Sequence, residues 1–219
     1  MQNSRNRNQT RREKNKAIII KMVMMACLIS IVIIFQLIGS FIKVGPASIS
    51  LVLIPIAIGA ILLGPLFGAL LGAIFGVMTL AAGISGVEPF TATLWANQPF
   101  ETAVLCIAKG TLAGLFSGLI YKLLKKINDF FAVVIASAIV PVVNTFIFIL
   151  GGIFIVNDTL SAMVSDGKSL VYFVVFVCSL ANFIAEFILN IVASPAIKYI
   201  ALLGNKALNN FTKPSKNKI

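Results

Sequence analysis

The polar residues that interrupt long apolar runs are the ones able to do chemistry here. Asn182, Glu186 and Asn190 follow one another at steps of four, which places all three on one face of a helix. In hydrocarbon each is costly unless it meets a partner or a polar cavity, so this face does not look at lipid. Asn144 comes one turn after Pro141, whose missing N–H frees a carbonyl and can kink a helix, widening the space around it. Lys109 sits well inside another apolar run and is opposite in charge to Glu186. Two readings stay open. Lys109 and Glu186 form a buried pair that fixes helix register, or they line a solute pocket with the asparagines.

Catalysis finds less support. The chain has no histidine, which removes His-based triads, His-metal sites and imidazole proton relays. It has no P-loop pattern, so it does not hydrolyse ATP itself. Neither a paired acidic motif of a membrane phosphotransferase nor a Ser–Lys or carboxylate dyad stands out. We therefore expect no catalytic residue, no metal and no cofactor. Cys27, Cys106 and Cys178 fall inside apolar runs and read as small core residues rather than a disulfide set. The segment Trp95-Ala-Asn97-Gln-Pro-Phe-Glu101 carries the single tryptophan. As a long connection it is either an interfacial anchor or a lid whose Trp95 ring covers a bound solute.

These residues need positioning elements, and composition says what those are. Hydrophobic residues make up 59% and charged residues 11% of the 219, whereas a soluble domain carries roughly a quarter charged residues. The length holds about six spans of ~20 residues. Apolar stretches run over residues 17–42, 49–63, 66–84, 100–124, 130–156 and 170–203, joined by polar connections at 85–99 and 157–169. The first stretch is too long for a signal peptide and ends in no cleavage pattern. Glycines at 68, 72 and 76, and again at 110, 114 and 118, mark faces where backbones approach closely. Ala26 and Ser30 make a smaller version in the first helix.

The net charge of +11 invites a nucleic-acid reading, but the placement of the charges argues for topology instead. Arg5, Arg7, Arg11, Arg12, Lys14, Lys16 and Lys21 lie at the N-terminal end; Lys122, Lys125 and Lys126 lie between the fourth and fifth stretches. Lys198, Lys206, Lys213, Lys216 and Lys218 lie at the C-terminal end, making fifteen of the eighteen basic residues. Only Lys43 and Lys168 fall on the other side. The expectation is an all-α integral membrane protein with six transmembrane helices and both termini cytoplasmic. Residues 1–16 form a basic N-terminal segment, 17–203 the membrane domain and 204–219 a basic, frayed tail. The two long connections then face outward.

The run from Leu53 through Gly64-Pro65 to Gly72 resembles the helix two–three region of the substrate-binding S components of energy-coupling factor (ECF) vitamin transporters. So do the Trp95/Asn97/Pro99 segment, Cys106-Ile-Ala-Lys-Gly110, Pro141-Val-Val-Asn144-Thr145 and Asn182-Phe-Ile-Ala-Glu186. The resemblance reaches from the first helix through Pro195. It implies a non-enzymatic, six-helix subunit of the cell membrane that binds a micronutrient near its outer face. A transmembrane coupling subunit and two cytoplasmic ATPases would be its partners. It also implies that Ala26 and Ser30 contact the coupling subunit, with serine replacing the family's second alanine. The pocket residues would be Trp95, Asn97, Lys109, Asn144, Asn182, Glu186 and Asn190. Lys109 suits a carboxylate or phosphate, which puts pantothenate first; riboflavin, stacked on Trp95, comes next, and Glu186 keeps a cation such as thiamine in play. Rival readings are an autonomous secondary carrier, although no matching pair of broken helices is present, and a structural or assembly protein whose polar faces only lock helices.

Overall fold

The computed structural model describes residues 2–39, 43–44, 47–48, 50–164 and 169–212. Helix α1 (Gln2–Gly39) leads into a two-residue antiparallel pair, β1 (Lys43–Val44) and β2 (Ala47–Ser48). Then follow α2 (Leu53–Leu62), α3 (Pro65–Ile84), α4 (Pro89–Asn97), α5 (Pro99–Leu124), α6 (Asp129–Phe154) and α7 (Asn157–Ala162). The last described elements are α8 (Leu170–Tyr172), which runs through a π-helical stretch, Phe173–Ser179, into α9 (Leu180–Thr212). This is an all-α membrane architecture apart from the small ribbon.

Among the described residues five helices are long and apolar enough to cross a membrane: Asn15–Gly39, Pro65–Ile84, Pro99–Leu124, Asp129–Phe154 and Leu170–Asn210. The sixth, α2, has ten residues. At 1.5 Å per residue it is ~15 Å long, about half the hydrocarbon thickness. A half-length helix is tolerable only where protein rather than lipid surrounds its ends. Eight of its ten residues are buried. The expected second span is therefore an enclosed half-helix.

Gly64 makes the bend from α2 to α3 with φ 112°, a conformation that a Cβ opposes. Proline at the start of α3 gives up an N–H that has no helical acceptor there. The two glycine rows turn out to be one shared seam. A methyl group at Gly72 would collide with the Gly110 carbonyl, one at Gly68 with that of Gly114, and one at Gly76 with that of Cys106. Helices α3 and α5 therefore pack backbone to backbone, antiparallel, as small residues allow in lipid.

Helix α6 starts at Asn128, whose side chain accepts from the N–H groups of Phe130 (2.9 Å) and Phe131 (3.1 Å), the usual N-cap geometry. The buried Ser117 hydroxyl joins α5 to the Ala136 carbonyl at 2.8 Å. Helix α9 lies antiparallel to α6. Gly152 meets Val174 at one end, and Lys198 stands 3.9 Å from Asp129 at the other.

Three expectations about connections need correction. The stretch 85–99 contains α4, and 157–169 contains α7; neither is plain loop. Pro89 and Pro99 each open a helix, where the missing N–H has no helical acceptor to lose. Phe90 and Leu94, one turn apart, anchor α4 in an apolar cluster with Leu105, Val156, Leu160 and Val174, which also holds α7. The tail expected to fray from residue 204 stays helical to Thr212, with Gly204 packed on Leu62. Lys168, Lys213, Lys216 and Lys218 lie outside the described residues.

Candidate functional site

Where α4 closes over the ends of the long helices, a cavity remains between them. The space between its lining atoms is about 780 Å³, counting open solvent at its mouth. Every long helix contributes to it, as does Ser50 ahead of α2.

Four of the expected residues line the cavity: Lys109, Asn144, Asn182 and Glu186. Lys109 comes from α5, Asn144 from α6 and the other two from α9. Glu186 is 3% exposed, and its Oε1 accepts the Ser50 backbone N–H at 2.9 Å. The Lys109 ammonium lies 5.8 Å from the ring centre of Phe75 and 5.7 Å from that of Phe148, a favourable placement for a cation. Lys198 and Asp129 form an ion pair; Lys109 and Glu186 do not. The side-chain oxygens of Asn144 and Asn182 are buried without a hydrogen-bond partner. A buried acceptor left unmade costs its full desolvation, and both atoms belong to residues that line the cavity.

Three expected residues sit elsewhere. Asn190 is buried one turn past Glu186; its Nδ2 donates to the Glu186 carbonyl at 2.9 Å, and it does not line the cavity. Trp95 and Asn97 are on α4, but the side of that helix facing the cavity carries Phe90, Thr91 and Leu94. Asn97 is exposed and donates to the Thr93 carbonyl of its own helix at 2.8 Å. The capping segment is thus present, with a different face inward. Ala26 and Ser30 lie on the exposed side of α1, away from its buried Met25, Leu28 and Val32; the Ser30 hydroxyl turns back to the Ala26 carbonyl at 3.0 Å.

Several lining residues escaped the sequence reading. Glu88, just before α4, is buried at 8% exposure and accepts from the Thr91 hydroxyl at 3.0 Å. Its charge beside Pro89 was a signal, obscured by assigning the segment to a loop. Thr79, Thr102 and Ser179 donate to carbonyls of their own chain segments; such hydroxyls are common in membrane helices and carried no signal. Ser179 reaches Val174, five residues back, as the π-helical turn requires. That turn, a feature often found at functional sites, brings Cys178, Ser179 and Asn182 to the cavity. Cys106 also lines it, so two cysteines read as core residues border the site. Gln98 fastens the cap: its Oε1 accepts from the Thr159 hydroxyl at 2.9 Å, tying the α4–α5 junction to α7.

A bundle of apolar spans around a capped polar cavity, with a lysine and a carboxylate left apart inside it, defines a multi-pass membrane protein with an internal polar site. The family model of the ECF transporter, substrate-specific component, matches residues 20–198. The chain belongs to that family. No curated protein matches it.

Proposed function

We propose that the chain captures a vitamin-like solute in the α4-capped cavity and delivers it through the ECF complex, with energy from partner ATPases. As a substrate-specific component it is part of a transporter rather than an enzyme. The observation that carries the solute proposal is an unpaired Lys109 in one cavity with Asn144 and Asn182, two of the three asparagines whose side-chain oxygens lack a partner. The lysine offers a site for a carboxylate or other strong acceptor. Glu186 and the amide oxygens of Asn144 and Asn182 offer acceptors to hydroxyls and amides. Pantothenate has all of these groups and is the first candidate. Riboflavin comes second, because Trp95 does not face the cavity and gives its ring system no stacking partner.

The cavity end faces outward in this proposal and the termini are cytoplasmic in the cell membrane, in keeping with the basic residues of the opposite end. The exposed Ala26/Ser30 side of α1 is the contact for the transmembrane coupling subunit. Calorimetric titration of the purified chain with pantothenate, riboflavin and thiamine tests the solute, with saturable pantothenate binding expected. Binding of none of the three would reject the vitamin assignment. Ala26→Trp should leave solute affinity unchanged while uptake by the whole complex is lost. Equal loss of both would remove the proposed division between cavity and docking face.

A further inference from the structure

At the end of the bundle opposite the solute cavity, α5, α6 and α9 part around a second cavity, with about 510 Å³ between its lining atoms counting solvent at its mouth. Tyr121, Lys125, Asp129, Lys198 and Asn205 supply its polar lining, and Leu202 borders it. Asp129 is engaged within the protein: Oδ1 accepts from the Tyr121 hydroxyl at 3.0 Å, and Oδ2 lies 3.9 Å from the Lys198 ammonium. Lys125 forms no ion pair among the described residues; its ammonium lies 5.2 Å from the Tyr121 ring centre. Lys198 also stands over the Phe130 ring at 5.1 Å. Two lysines against one already occupied carboxylate leave the cavity net positive, and Lys122 and Lys126 add charge in the adjoining turn.

The surroundings select the ligand. Leu202, which lines the cavity, is 53% exposed, and Leu123 and Ile127, in the sequence flanking Lys125, are 70% and 81% exposed, so apolar surface suited to acyl chains accompanies the lysines. Basic pockets between membrane helices hold anionic head groups. A free phosphate would use the lysines but not the apolar border.

We propose that this second cavity is a binding site for an anionic phospholipid, its phosphate held between Lys125 and Lys198 and its chains lying along the Leu202 side. A lipid bound there ties α5, α6 and α9 together at the end remote from the solute. The site is independent of solute identity.

Native mass spectrometry of the full chain in detergent tests this, with dioleoylphosphatidylglycerol, dioleoylphosphatidylcholine and inorganic phosphate titrated separately and in competition. Phosphatidylglycerol should bind more tightly than phosphatidylcholine. Lys125→Gln and Lys198→Gln should each weaken it by about fivefold, the effect of one lysine near an anionic surface. Lys125→Arg combined with Lys198→Arg should keep the affinity, and Asp129→Asn should raise it. Equal binding of the two lipids, or glutamine variants without effect, would overturn the site. Loss of binding in the arginine variant, or no gain with Asp129→Asn, would count against the charge assignment. Displacement of phosphatidylglycerol by millimolar phosphate would replace the lipid with a free anion.

Discussion

At the basic end of the bundle, Lys198 and Asp129 stand 3.9 Å apart with side chains 29% and 38% exposed, and Asp129 also accepts from Tyr121. At the cavity end, Lys109 lies between two phenylalanine rings while Glu186 is satisfied by the Ser50 N–H. The same two chemistries meet at one end and are held apart at the other. Forming a partly exposed pair costs little and contributes little. Keeping a lysine and a buried carboxylate unpaired inside a membrane protein is expensive. That cost is consistent with a site in which the missing partner is a solute.

Removing Lys109 should give the largest effect if this contrast is right. Lys109→Ala deletes a charge-assisted contact, worth about 1.5–3 kcal/mol, so solute affinity should fall by roughly 10- to 100-fold by calorimetry. Thermal stability of the empty protein should hardly change, because no ion pair is lost and the two ring contacts given up are offset by removing a costly unpaired ammonium. A large drop in melting temperature with affinity retained would make Lys109 a structural residue and erase the contrast.

Glu186→Ala comes next and differs in kind. It strands the Ser50 N–H, so it should cost about 1–3 kcal/mol of stability and weaken solute binding by roughly tenfold. Both losses should appear together, in thermal unfolding and in titration. Glu186→Gln, which retains an acceptor for Ser50, should restore the stability but not the affinity. If glutamine restored both, the charge would have no part in recognition.

Asn182→Ala tests the orphaned acceptors. Its Oδ1 has no partner, so deletion should leave the unliganded protein as stable as before while weakening solute binding several-fold, about 1 kcal/mol for one neutral hydrogen bond. Lower stability without a change in affinity would assign the asparagine to packing.

The asparagines and Glu186 were legible in the sequence because polar residues at helical spacing in an apolar run have few physical outcomes. The glycine rows were equally legible as close-packing faces, although which helices they joined was not. Pairing of Gly72 with Gly110 depends on tertiary register, which spacing alone does not carry. Trp95 and Asn97 show the opposite case. A reading of 85–99 as a loop carries no helical phase to distinguish their side of α4 from that of Phe90, Thr91 and Leu94. Glu88 was hidden for the same reason. The π-helical turn at Phe173–Ser179 shifts the phase of the helix by a residue, and an uninterrupted apolar run gives no sign of it. Asn190 followed the stripe correctly to a buried position, but the cavity ends one turn earlier.

The smallest expected effect lies at the end where the charges do meet. Asp129→Ala removes both the contact to Lys198 and the acceptor of the Tyr121 hydroxyl. Since both charged side chains are about one-third exposed, water takes over much of what is lost, and the pair itself is worth at most about 1 kcal/mol. Tyr121 is buried, so its hydroxyl has the larger share of any destabilisation. Chemical unfolding should therefore show a modest change, and Tyr121→Phe combined with Asp129→Ala should cost no more than Asp129→Ala alone. Solute affinity should be untouched, because neither residue lines the α4-capped cavity. A loss of affinity comparable to that of Lys109→Ala would mean that the two ends are coupled, and that the paired lysine helps hold the unpaired one in place.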